Sequence, residues 1–196
     1  NGAGKTTLMN LLAGDLEPTH GDQRKSHKLR IGRYNQHFVD ALAFDVSPVE
    51  YLVGISGLKA EEIRAKLGKF GLSGHHHLQP ICKLSGGQKA RVVFAAIALS
   101  SPHILLLDEP THGFDPLQVL AFRELLHTLK DNRVILFSSH IIQEVSALSD
   151  RVLIINNGHL LGDGRLQDLA KKTGQSETDL EGIFTHLVRQ SEVALA

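Results

Sequence analysis

The stretch from Leu84 to Asp115, LSGGQKARVVFAAIALSSPHILLLDEPTHGFD, constrains this chain more than any other. Ser85 can cap a helix running to Ser100, in which Ala90, Val93, Phe94, Ile97 and Ala98 recur at helical spacing and define a buried face. His103 to Leu107 follows as an unbroken apolar strand, the pattern of a central strand in a parallel sheet covered on both faces. It ends in two adjacent carboxylates, Asp108 and Glu109, at the edge where open α/β sheets place their ligands. Helix, buried strand and charged strand end in this order predict a layered α/β fold.

The natural partner of that strand end opens the chain. Asn1-Gly2-Ala3-Gly4-Lys5-Thr6-Thr7 leads into a helix whose Leu8, Leu11 and Leu12 share a face, with Gly14 as its stop. The glycines let the backbone wrap anionic oxygens, and a helix N-terminus favours negative charge. This predicts a phosphate-binding loop in which Lys5 reaches the β- and γ-phosphates and the Thr6 hydroxyl holds Mg²⁺. The pattern G-x-x-x-x-G-K-[ST] has its first glycine two positions ahead of Asn1, so the chain reads as N-terminally truncated. With a phosphate loop present, the paired carboxylates can divide the work: Asp108 supports Mg²⁺, while Glu109 orients and deprotonates an attacking water.

Other segments add to this pattern. Ser85, Gly86 and Gly87 offer a hydroxyl and bare amides at the positive end of their helix, a second anion site. Asp115-Pro116 is a cap and first position for a helix with Leu117, Leu120, Ala121 and Leu125 as its apolar face. Arg133 to Ser138 predicts another buried strand, and His140 at its carboxyl end is placed to hydrogen-bond a γ-phosphate or the attacking water. Leu29 to Gln36 alternates as a strand, and the Gln36 amide at its end could touch both a metal and a water. Ser47-Pro48-Val49-Glu50 is a capping box opening a helix through Val53, and Lys59 to Phe70 is a second helix. Phe38 to Lys83 thus predicts a small helical unit between two motif-bearing segments. Adjacent histidines at 75, 76 and 77 cannot all face one ion, and no cysteine or carboxylate is spaced to complete a metal site with them. Ile141 to Ser149 is helical, and RVLIIN, Asn157-Gly158 and HLLG predict a hairpin. Leu166 to Lys172 and Leu180 to Gln190 predict helices for packing or for holding a partner.

Composition narrows the function classes. A chain of 196 residues is long enough for one domain with a proper core. Its 21 basic and 21 acidic residues cancel, so no global field points to nucleic acid, and no direct DNA binding is expected. The cluster Arg24, Lys25, His27, Lys28 and Arg30 reads as a solvated loop. Cys82 is the single cysteine, which suits a reducing compartment, and no apolar run reaches the ~20 residues of a membrane span.

Over almost its whole length the chain resembles the ATP-binding-cassette (ABC) ATPases. NGAGKTT, Gln36, LSGGQ (Leu84 to Gln88), the strand ending Asp108-Glu109, the turn around Asp115 and His140 occur in that family's order and spacing. The resemblance implies a three-layer P-loop cassette over residues 1–196, with a helical subdomain at about 38–100 and the first strands lacking. It implies ATP and Mg²⁺ as ligands, Glu109 as general base, and Gln36 and His140 around the metal and γ-phosphate. It implies that Ser85, Gly86, Gly87 and Gln88 serve the ATP held by a second cassette, paired head to tail. RIGRYNQHFVDALAFDVSPVEYL (Arg30 to Leu52) and ICKLSGGQKARVVFA (Ile81 to Ala95) are similar to the ABC-F translation-associated ATPases, and the segments from Gly113 on to ABC-2-type exporter cassettes, with the shared LDEPT between them. The expected job is to drive a transporter through a membrane permease subunit; the alternatives are an ABC-F-type ribosome-associated ATPase and a non-catalytic binding module. The expected location is the cytoplasm or the cytoplasmic face of a membrane.

Overall fold

The computed structural model describes residues 2–34, 42, 45–130 and 133–194. The chain divides into two compact units, one formed by Asn1–Glu17 with Ser138–Ala196 and the other by Pro18–Phe137.

The second unit is built on a sheet of order β1-β2-β3, with β1 at Ile31–Tyr34, β2 at Ile104–Asp108 and β3 at Val134–Ser138. β1 and β2 are parallel, registered from Ile31 opposite Ile104 to Tyr34 opposite Leu107. The central position of β2 explains its composition: Leu105, Leu106 and Leu107 are buried, as the apolar run predicts. β3 departs from the expected buried strand. It flanks β2, Val134 is 61% exposed and Ile135 to Phe137 are half-buried. The loop before β1 is exposed as expected, but Arg30 has a structural task. Its amide donates to His103 Nδ1 at 3.1 Å and its Nε to the Ser101 carbonyl at 3.0 Å, starting the two parallel strands together.

The helix α4 (Gly86–Leu99) lies against β1 and buries Ala90, Val92, Val93, Phe94 and Ala95. Phe94 is the centre of this packing. Its ring stacks on Tyr34 at 4.5 Å and 17°, and meets Phe122 of α5 (Pro116–Leu129) at 5.3 Å. Offset and tilted rings of this kind add to the large area each buries. Burial pushes the Tyr34 phenol up to about 12. The face of α5 is only partly the predicted one, with Leu125 buried as expected. Phe122, Leu125, Leu126 and Leu129 are buried, whereas Leu117 and Leu120 are 77% and 53% exposed. Both sets have helical spacing, and the Phe94 ring selects the one it can touch.

The helical elements α2 (Pro48–Ser56), α3 (Ala60–Lys69) and two 3₁₀ turns at Gly74–His77 and Ile81–Lys83 belong to the same unit. The predicted capping box is present, since Ser47 Oγ accepts from the Glu50 amide and Glu50 Oε2 from the Ser47 amide. α2 continues past Val53 to a C-cap at Gly57. Leu52, Ile63, Leu67 and Ile81 form the fully buried centre of these helices.

The first unit holds α1 (Lys5–Ala13), α6 (Ile142–Leu148), the hairpin β4 (Val152–Asn156) and β5 (His159–Gly164), α7 (Leu166–Thr173) and α8 (Leu180–Ala194). β4 and β5 are antiparallel across an Asn157-Gly158 turn whose φ values, +48° and +77°, suit Asn-Gly. Val152, Ile154, Leu169, Leu180 and Ile183 form its core. In α1 the buried residue is Met9, and Leu12, expected on the apolar face, is 42% exposed. Among the described residues no helix is long and apolar enough to cross a membrane.

The observed face of α5 makes two opposite predictions. Leu126→Ala should lower stability by about 2–5 kcal/mol, as for a buried leucine, and Leu117→Ala should change it by no more than about 0.5 kcal/mol. Urea unfolding midpoints of the two variants check this.

Candidate functional site

The phosphate-loop residues lie in the first unit. Gly2 and Gly4 have φ of +90° and +102°, backbone that an L side chain resists, and Gly4 is the N-cap of α1. No side chain caps that helix end, and a helix N-terminus of this kind favours negative charge. Lys5 is half-buried, and Thr6 and Thr7 are exposed in the first turn. The loop is braced by the hairpin: the Gly158 amide donates to the Ala3 carbonyl at 2.9 Å. His140 belongs to this unit too and is exposed at the turn after β3. Ser139 Oγ stiffens that turn, accepting from the Ile141 amide at 3.0 Å and donating to Glu144 Oε2 at 3.2 Å. Glu144 is 5% exposed. Sequence reasoning missed it, although a carboxylate in the first turn of the helix after His140 was the available signal.

The paired carboxylates lie in the second unit. Asp108 ends β2 and is half-buried. Glu109 has a φ of +45°. For a residue with a Cβ this costs on the order of 1–2 kcal/mol and persists only where the surroundings hold it. A turn follows at once, with the His112 amide on the Glu109 carbonyl at 3.1 Å and the Phe114 amide on the Thr111 carbonyl at 3.0 Å. Buried Thr111 anchors it. Mg²⁺ takes hard oxygen donors and keeps several waters. Thr6 offers an exposed hydroxyl in the first unit and Asp108 a half-buried carboxylate in the second, each taken by itself an oxygen donor of that type.

The Leu84–Gln88 segment opens α4. Leu84 is buried, and Ser85 and Gly86 are exposed. Ser85 Oγ accepts from the Gln88 amide at 3.3 Å and Gln88 Oε1 from the Ser85 amide at 2.9 Å, a complete capping box. The same device opens α5, where Asp115 Oδ1 accepts from the Gln118 amide at 2.8 Å and Gln118 Oε1 from the Asp115 amide at 3.2 Å. The two boxes touch. A Cβ on Gly87 would stand 2.8 Å from Gln118 Cδ and 3.0 Å from its Cγ, so the second glycine of the segment is required by the neighbouring cap. Nothing in the sequence pairs Gly87 with Gln118. Gln36 and Asn1, both expected at the site, lie outside the described residues.

Comparison with known proteins identifies the family and the fold. The family model described as "ABC transporter" matches residues 1–112. "ABC transporter F family member 4" of Arabidopsis thaliana is 52% identical over 168 residues, which are 81% of this chain and 23% of that protein. "ATP-binding cassette sub-family F member 3" of Mus musculus is 37% identical over 159 residues, 81% of this chain and 22% of that protein. The chain therefore spans less than a quarter of the length of these relatives. Among solved structures, one described as the ATP binding subunit of an ABC transporter superposes with a TM-score of 0.78 at 25% identity, covering 96% of this chain and 85% of that one. CbiO1 of Clostridium perfringens, described as part of the ABC transporter complex cbiONQ, superposes with a TM-score of 0.73 at 29% identity, covering 88% and 77%.

The Gly87 contact should show as a change of sign. In the native background Gly87→Ala displaces Gln118 from its cap and destabilises by about 1 kcal/mol. In a Gln118→Ala background the same change should be neutral or stabilising by up to about 1 kcal/mol, because alanine is the better helix former. Thermal melts of the four proteins in the cycle measure it.

Proposed function

The chain belongs to the ABC transporter family of ATP-binding cassettes, and on that premise we propose that it binds Mg-ATP and hydrolyses the β–γ phosphate bond with Glu109 as general base. We read residues 1–196 as one cassette with a helical subdomain at about 38–100. The observation that carries the reading is the backbone of Glu109: a carboxylate held in an unfavourable conformation at the end of a buried strand. Strain of this sort is retained where a side chain must be aimed.

The chain's own groups divide the reaction. Asn1 to Thr7 wrap the phosphates with backbone amides, and Lys5 balances charge on the β- and γ-phosphates. Glu109 takes a proton from the attacking water as its oxygen bonds to the γ-phosphorus, and the bond to the β-phosphate oxygen breaks to give ADP and phosphate. His140 hydrogen-bonds the γ-phosphate. Mg²⁺, held by Thr6, Asp108 and Gln36, supplies neutralisation of phosphate charge when bound. Ser85, Gly86, Gly87 and Gln88 face the γ-phosphate of ATP carried by a second cassette, so a head-to-tail pair is the working unit.

Two couplings fit such a pair. The likeness to transporter ATP-binding subunits supports a membrane permease partner on the cytoplasmic face. The 52% identity to an F family member over four-fifths of the chain favours the ABC-F alternative, a cytoplasmic ATPase that acts on ribosomes. Sedimentation of the full chain with ATP should recover it with ribosomes; recovery with membranes instead would assign the permease.

Glu109→Gln should lower ATP turnover by about 10²–10⁴-fold while leaving ATP affinity within about threefold, the signature of a lost general base. Steady-state hydrolysis and a fluorescent-ATP titration on the full chain measure the two quantities. Equal turnover in the two proteins removes Glu109 from the role, and absence of Mg²⁺-dependent ATP binding would make the chain a binding module without catalysis.

A further inference from the structure

The histidines at 75 to 77 lie outside the motifs described above. They form the 3₁₀ turn Gly74–His77, which packs on α2 and α3. His77 is buried, with Nε2 2.8 Å from the Leu72 carbonyl oxygen, so that nitrogen carries a proton and donates it. His76 is half-buried, and its ring lies 3.7 Å from that of His75. Its two nitrogens have different partners. Nε2 is 3.1 Å from Gln88 Nε2, and Nδ1 meets the Ser73 hydroxyl.

The capping box settles which His76 nitrogen holds the proton. Gln88 Oε1 is occupied by the Ser85 amide. The NH₂ end of the same side chain therefore faces His76, and an amide NH₂ only donates. His76 Nε2 must present a lone pair, and the ring proton sits on Nδ1, donated to Ser73 Oγ. A doubly protonated ring would set an N–H donor against the Gln88 NH₂. It would also add positive charge near the N-terminal end of α4, where the helix dipole is already positive.

We propose that His76 is a positioning residue for the Ser85–Gln88 cap: as a neutral imidazole protonated on Nδ1 it holds Gln88, and as an imidazolium it lets go. This rests on the reading of that cap as the contact for a second cassette's ATP. The sign follows from the surroundings of the ring. Burial first, then the charges of His75 and His77, hold the His76 imidazolium below the ordinary histidine range. Other charges on the packed helices are Glu50 on α2, Glu61, Glu62, Arg64, Lys66 and Lys69 on α3, and Lys89 and Arg91 on α4. The Arg91 guanidinium is directed to the Gly71 carbonyl. The hold is therefore still in place at the ordinary histidine value of about 6.5 and is lost only as pH falls through the lowered value of His76.

Two measurements on the full chain test this. Imidazole nitrogen NMR at about pH 7.5, with His76 assigned by its loss in His76→Gln, should show Nδ1 protonated and Nε2 bare. A protonated Nε2 overturns the proposal whatever the enzyme does. Glutamine can put an acceptor near the Nε2 position and does not titrate. The kcat/KM of the native chain relative to His76→Gln should thus be near unity at about pH 7.5 and fall about fivefold as pH is lowered through the His76 transition that the same NMR signals follow. A flat ratio also overturns it. His76→Lys, a permanent donor, should show the low value already at about pH 7.5, and full activity in it would count against the proposal. A native chain that hydrolyses no ATP at any pH refutes the catalytic reading instead, and the NMR result then judges His76 by itself.

Discussion

The stacking of Phe94 on Tyr34 is the interaction from which the chemistry of the second unit hangs. Tyr34 closes β1, Phe94 sits on the helix that Ser85 opens, and Phe122 sits on the helix that Asp115 opens. One ring therefore sets strand and helices in register against each other. Helices so clamped have their N-terminal ends placed as well, and the end that Ser85 opens carries candidate nucleotide contacts. The phenol in the stack is pushed so high that it stays neutral across the physiological range. The clamp is indifferent to pH, unlike the histidine bond to Gln88 at the end of the same helix.

Capping is the second organising device, and it gives motif residues a structural task before any chemical one. Gln88 and Gln118 each fold back on the residue three before them, and Gly87 leaves room for the second of these bonds. The Ser85–Gln88 segment is thus held from two sides, by Gln118 and by His76. Residues that touch no nucleotide fix the conformation of those that would. This is what preorganised binding requires, since side chains already in place lose little freedom when a ligand arrives.

What was legible in the sequence was local. Gly14 ends α1, Ser47 and Glu50 box the start of α2, and Asn157-Gly158 makes a tight turn, because each signal acts through its own few residues. The apolar run before Asp108 marked the central strand. The choice of face on α5 was not legible, since Leu117 and Leu120 share helical spacing as well as Phe122 and Leu126 do, and a distant aromatic ring decides between them. The exposure of Val134 depends on where its strand lies in the sheet, which apolar content does not encode. The φ of Glu109 cannot be read from a glutamate, and a run of histidines invites a metal reading until the partner of His76 is known. In the candidate site, residue types were readable and their supports were not, because supports are long-range contacts between ordinary side chains.

The bond between the Gly158 amide and the Ala3 carbonyl joins positions far apart in sequence. Synthesis delivers Ala3 long before Gly158, so the phosphate loop is made early and braced late. Closing so long a loop costs entropy that grows only with the logarithm of its length, so the final stability suffers little and the order of events is what changes. Until β4 and β5 pair, the loop lacks that support. Tight binding of phosphate at its amides thus belongs to the finished fold, and a half-made chain has no braced loop with which to capture it.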